Sequence, residues 1–138
     1  MYGLALSLAV IACCLAGAMG GYILARTEDA VERAGLALPP QPGDGLGAAR
    51  ALGGMLLLAH GGTAALLGYN PAVGAGMALA LALAWGGAAL GRVLSSLRAG
   101  QGDGRSLQAL AFEVMMAITL ALPQWSSRNG FEGPSVSV

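Results

Sequence analysis

ALGGMLLLAHGGTAALLGYNPAVGAGMALALALAWGGAALG, residues 51–91, contains no Asp, Glu, Lys or Arg. About 20 apolar residues cross a bilayer core of roughly 30 Å, so this stretch is long enough for two crossings. Gly68-Tyr69-Asn70-Pro71 interrupts it near the middle, with Asn70 suited to cap a helix and Pro71 to begin one. The stretch therefore predicts a helical hairpin, with spans at about 47–67 and 71–97. Tyr2–Ala25 is equally free of charge and has no polar stripe of the kind a soluble amphipathic helix needs. It predicts a first span over 2–25. Ser106–Trp125 predicts the fourth. The fold class expected is all-α, a membrane-embedded four-helix bundle, with residues 1–125 as one domain and 126–138 as a polar, irregular tail.

Composition agrees. Hydrophobic residues make up 56% of the chain and charged residues 10%, against roughly 25% charged in an ordinary soluble domain. Net charge is zero, so neither a nucleic-acid surface nor an acidic partner is implied. Val10-Ile11-Ala12-Cys13 fits a lipoprotein-cleavage pattern and Ala16-Gly17-Ala18 loosely fits a signal-peptidase site. Residues 1–12 carry no Lys or Arg, however, and the apolar run continues past both sites. An uncleaved span is the expectation. Cys13 and Cys14 are adjacent and are expected to act as small buried hydrophobes.

All seven basic residues are Arg. Four spans put Arg26, Arg33, Arg50, Arg92, Arg98 and Arg105 toward one side of the membrane and leave only Arg128 on the other. By the positive-inside rule the Arg-rich side faces the cytoplasm and both termini face away from it. Tyr2, Tyr69 and Trp125 fall at the opposite boundary, where amphipathic rings settle. Between the first two spans, Arg26–Arg33 predicts a polar helical turn or two, with Asp29 and Arg33 at pairing distance along a helix. Leu38–Gly45 predicts a Pro- and Gly-rich loop.

Three ionisable groups fall inside the spans. Glu113 lies about 12 Å along the axis from Arg105, His60 about 15 Å from Arg50 and Arg92 about 9 Å from Arg98, at 1.5 Å per residue. An ionised carboxylate at such depth must face the bundle interior, pair, or take a proton. The expectation is that Glu113 pairs with Arg92, and that His60 either joins them or bonds a backbone carbonyl. Their role is open between a lock joining helices, a proton-carrying or ligand-binding site using Glu113 and His60, and an axial ligand to haem or a chlorophyll-type pigment at His60. For close packing, small residues four apart single out Gly17 and Gly21, and Gly87 and Gly91. A second row runs through Gly76, Ala80, Ala84 and Ala88. Such faces let helices approach in lipid, within the chain or toward a partner.

Gly-Asp-Gly occurs at Gly43–Gly45 and Gly102–Gly104. Tight turns explain both. Asp44 and Asp103 together would supply too few oxygens for a cation. With one His, no Lys and no Cys/His cluster, no catalytic residues, metal site or enzyme activity are expected.

Two segments carry a family resemblance. Ala51-Leu52-Gly53-Gly54-Met55-Leu56-Leu57-Leu58 resembles a Gly-Gly helix preceding a hairpin. Gly87-Ala88-Ala89-Leu90-Gly91-Arg92-Val93-Leu94-Ser95 resembles a third helix ending in Gly-Arg, followed after a Gly-rich loop by a Glu-containing helix, here with Glu113. Over residues 50–122 the chain resembles the small bacterial four-span membrane proteins called domain of unknown function 4345. That resemblance implies four spans and a Gly-Arg/Glu contact, with no activity, substrate or cofactor attached. The small four-helix drug exporters differ, since their carboxylate lies in the first helix and the first span here has none. The function expected is a structural or accessory subunit of a bacterial inner-membrane complex, with the bilayer and other integral subunits as partners. The alternatives are a small proton-coupled transporter and a pigment- or haem-associated protein.

Overall fold

A computed structural model of the chain describes residues 2–34, 46–99 and 104–129. These residues form five helices: α1 (Tyr2–Ala25), α2 (Thr27–Arg33), α3 (Leu46–Tyr69), α4 (Pro71–Ala99) and α5 (Gly104–Asn129). All but the short α2 are long and apolar enough to cross a membrane. The protein is an all-helical, multi-pass membrane protein. Helix α1 lies between α3 and α5, α4 also touches both, and α3 and α5 do not meet. The four long helices thus form a ring in the order α1, α3, α4, α5.

The interior is built from small side chains. Ala9, Ala12, Cys13, Ala16, Leu67, Ala78, Ala82, Met116 and Leu120 form the buried cluster. On α3, Leu46, Gly53, His60 and Leu67 are buried at every seventh position. Ala5 and Ala12, Ala9 and Ala16, and Cys13 and Gly20 repeat that interval on α1. A seven-residue repeat keeps one seam of a slightly under-wound helix against its neighbour. Large apolar side chains such as Leu4, Leu58, Leu83, Leu90 and Leu97 point outward. A soluble bundle could not tolerate that arrangement, but lipid tails are as apolar as leucine.

Helix ends follow local chemistry. Asn70 Oδ1 accepts a hydrogen bond from the Val73 N–H at 3.3 Å, and the Gly74 N–H bonds the Asn70 carbonyl at 2.9 Å, which caps α4 behind Pro71. At the other end of the bundle Arg26 leaves helical geometry (φ −131°, ψ 59°) and breaks α1 from α2. Buried Thr27 returns its hydroxyl hydrogen to the Ile23 carbonyl at 2.8 Å. Asp29 pairs with Arg26 at 3.4 Å, whereas Arg33, the expected partner, lies over the Tyr22 ring.

The fourth span is longer than expected. Helix α5 continues through Ser126–Asn129, the first part of the expected irregular tail, and Ser127 donates to the Gln124 carbonyl at 2.9 Å. It does so despite Pro123, whose ring is fully buried within the helix. Proline forfeits the bond to the carbonyl four residues back, and neighbouring helices make that loss tolerable in membranes. The Pro-rich loop, Asp44, Asp103 and residues 130–138 lie outside the described residues.

Close helix approach occurs at positions other than those the four-residue spacing selects. A Cβ on Gly20 would sit 2.6 Å from the Leu57 nitrogen and 2.7 Å from the Gly53 carbonyl oxygen, and one on Gly53 would sit 2.8 Å from the Gly20 oxygen. The backbones of α1 and α3 touch there. Gly17 and Gly21 face α3 at ordinary contact distance, with their nearest atoms at 3.9 Å. Gly87 and Gly91 pack against nothing within 4 Å. The reason is azimuth. Gly20 continues the sevenfold seam that the rest of α1 buries, while Gly87 and Gly91 lie on the side of α4 opposite Ala75, Ala78, Ala82 and Ala89.

Candidate functional site

Among the described residues, two side-chain polar contacts join helices deep within the spans. In the first, α4 supplies Arg92 and α5 supplies Glu113. Arg92 Nε donates to both carboxylate oxygens, at 3.0 and 3.2 Å, and Nη2 donates to Oε1 at 2.6 Å. The fork geometry of guanidinium suits such a contact and gives it direction as well as charge. Its two members are unequally placed. The Glu113 side chain is 8% exposed and that of Arg92 37%. The carboxylate belongs to the interior and the arginine reaches in to meet it.

The second contact centres on His60, which is buried on α3. Its Nδ1 lies 2.9 Å from the Leu56 carbonyl oxygen, and the Trp85 indole N–H of α4 donates to its Nε2 at 3.0 Å. An indole nitrogen can only donate and a carbonyl can only accept. The two partners therefore leave one arrangement: Nδ1 carries the hydrogen, Nε2 is the acceptor, and the ring is neutral. Trp85 then meets Phe112 of α5 edge to face, with ring centroids 5.5 Å apart. Each such aromatic pair adds about 0.5–1.5 kcal/mol beyond area burial. Nearby on α3, buried Thr63 satisfies itself by donating to the Ala59 carbonyl at 2.7 Å.

His60 thus bonds a backbone carbonyl and does not join Arg92 and Glu113. The two contacts are nevertheless linked through the helices. Trp85 and Arg92 are seven residues apart on α4, about 10.5 Å or two turns, and share a face. Phe112 and Glu113 are neighbours on α5. A continuous path runs from Leu56 and His60 through Trp85 to Phe112, then along α5 to Glu113 and back to Arg92. It ties α3, α4 and α5 together. Near the ends of α4 and α5, Ser96 and Ser106 place their hydroxyl oxygens 3.4 Å apart.

Trp85 is the member that sequence reasoning overlooked. A signal was present: an indole N–H inside a span needs an acceptor, and His60 offers one without charge. No group of three or more His, Cys, Asp or Glu placed to hold a metal occurs among the described residues. Binding a haem or pigment metal at Nε2 of His60 would require Trp85 to give up its acceptor. Compared with protein-family models, curated proteins and solved structures, the chain matches none.

Proposed function

We propose that this protein is a structural or accessory subunit of a bacterial inner-membrane complex, docking other integral subunits against the outward face of α4. The observation that carries this reading is the composition of that face. Gly76, Ala80, Ala84, Gly87, Ala88 and Gly91 all lie exposed, and nothing stands within 4 Å of where a Cβ on Gly76, Gly87 or Gly91 would be. Leu83, Leu90 and Leu97, 70%, 67% and 75% exposed, form a ridge beside it at intervals of seven. A smooth strip flanked by a regular ridge is the shape into which a second helix packs. Helix α3 also has glycines with open space beside them, Gly54, Gly61 and Gly62, but Leu58, 76% exposed, stands among them and breaks any smooth strip.

The proton-carrier reading needs a group free to exchange a proton. Both ring nitrogens of His60 have partners, and both carboxylate oxygens of Glu113 accept from Arg92. That occupancy favours the helix-locking role. The orientation proposed places the Arg-rich ends in the cytoplasm and both termini outside it, in keeping with six of seven Arg on one side. Membership of domain of unknown function 4345, as the sequence resemblance over residues 50–122 implies, would fit the same picture and assign no competing activity.

Purification in mild detergent tests the proposal. Gly87→Ile and Gly91→Ile add bulk where the protein itself has open space, so both variants should fold and lose the co-purifying subunit. Leu58→Ala, on the outward face of α3, should keep it. A partner-free wild-type monomer, or a partner retained by the glycine variants, would sink the idea.

A further inference from the structure

Where α1 breaks into α2, a cleft of about 270 Å³ opens between that bend and the first turns of α3. Its lining is Ala25, Arg26, Thr27, Glu28, Asp29 and Arg50. Ala25 ends one span and Arg50 lies near the start of the next, so the cleft sits at the level where apolar helix gives way to water. That is the depth of phospholipid headgroups. Its charges balance, with two guanidinium groups facing two carboxylates.

These groups are largely unspent. Among the described residues, Glu28 and Arg50 have no hydrogen-bond or ion-pair partner. Arg26 and Asp29 touch at 3.4 Å with side chains 69% and 49% exposed, and exposed pairs of this kind contribute little and open readily. The Thr27 hydroxyl is turned back onto α1, where it donates to the Ile23 carbonyl, and does not compete for the charged groups. A simple anion site would be purely basic, and a cation site purely acidic. This cleft is both.

We infer that the cleft binds the headgroup of a zwitterionic phospholipid bearing a primary ammonium. Arg26 and Arg50 take the phosphodiester, as guanidinium forks do, while Glu28 and Asp29 take the ammonium. A primary ammonium can donate up to three hydrogen bonds to carboxylates; a trimethylammonium can donate none. An anionic lipid satisfies the arginines but places no cation against Glu28 and Asp29. Preference for the aminoethanol headgroup over both follows from that chemistry. The inference rests on the four spans and is independent of what docks on α4.

Native mass spectrometry of the whole chain in detergent, titrated with phosphatidylethanolamine, phosphatidylcholine and phosphatidylglycerol of identical acyl chains, tests this. The ammonium's hydrogen bonds to the two carboxylates predict that phosphatidylethanolamine binds about tenfold more tightly than the other two, equivalent to about 1.4 kcal/mol. The Arg26→Gln/Arg50→Gln double variant should weaken all three lipids together by losing the phosphodiester contact, and Arg98→Gln, near the end of α4, should leave their binding unchanged. Glu28→Gln should bind phosphatidylethanolamine and phosphatidylcholine more nearly alike. This second variant decides the matter should the double arginine change disturb folding. Equal binding of the three lipids, a preference for phosphatidylglycerol, or equal loss in Arg98→Gln would overturn the assignment. So would glycerophosphoethanolamine in solution binding as tightly as the intact lipid, which would mark a solute site.

Discussion

The α1–α3 and α4–α5 pairs are the two most extensive contacts in the bundle, and they are held by different physics. Helices α1 and α3 meet backbone to backbone at Gly20 and Gly53, with the Leu56 and Ile23 side chains closed tightly against the same spot. Their attraction is dispersion between close surfaces, each atom pair contributing only about 0.1–0.2 kcal/mol. Helices α4 and α5 are joined by large and polar groups: Trp85 on Phe112 and Arg92 on Glu113. The first contact tolerates almost no added volume. The second tolerates almost no lost partner. Close packing is sensitive to shape, whereas a buried polar contact is sensitive to chemistry, because an unpaired charge in hydrocarbon has nothing to replace its solvation.

Substitutions can break this contrast, and the largest effect is expected at the ion pair. Arg92→Ala strands the nearly buried Glu113 carboxylate and should cost about 3–5 kcal/mol, read as a fall in thermal unfolding temperature in detergent. The reverse change should be milder. Glu113→Gln leaves a partly exposed arginine that can extend toward water and an amide that can still accept a bond. If Glu113→Gln proves as damaging as Arg92→Ala, the inequality in burial does not govern the pair. Unchanged folding of Glu113→Gln with a lost cellular activity would instead favour a chemical role for the carboxylate.

Next in size is the backbone contact. Gly20→Leu forces α1 and α3 apart and should destabilise by about 1–3 kcal/mol or somewhat more. Gly21→Leu, one residue on, needs only the flexible end of Leu57 to shift and should cost less. Equal losses at both positions would show that α1 turns freely on α3 and would remove the shape-sensitive half of the comparison. The smallest effect is expected at the His60–Trp85 bond. Trp85→Phe keeps an aromatic surface against Phe112 while leaving Nε2 of His60 without its donor. Interhelical bonds of this type in membranes are worth about 0.6 kcal/mol on average and at most about 1.7. A larger loss, measured against His60→Ala in a double-mutant cycle, would mean the path from α3 to α5 acts as one unit.

The residues differ in how plainly they announced their roles. Spans, hairpin turn and cap were legible because each depends on neighbours in the chain: Asn70 and Pro71 act on the turn they belong to, and charge-free length is a linear property. Arg92 and Glu113 could be matched through depth, since rise per residue is nearly constant and few ionisable groups enter the spans. The bond from Trp85 to His60 was less legible, because neither the indole nor the neutral imidazole carries a charge that its depth in the span would expose. The glycines were harder still. Four-residue spacing occurs throughout a chain rich in Gly and Ala, and it marks a small face without saying which way the face points.

Sequence by itself determined that four helices suit a membrane and where each begins and ends, to within a few residues. It also determined that an arginine and a glutamate enter the spans at similar depth. These conclusions follow from the cost of charge in hydrocarbon and from helix rise, and neither depends on distant parts of the chain. Only the tertiary structure decided that Gly20 and Gly53 touch, that Gly87 and Gly91 face outward, and that Trp85 rather than Glu113 engages His60. Those outcomes depend on how each helix is rotated about its own axis against its neighbours. That rotation is set by the fit of whole faces at once, and no local segment encodes it.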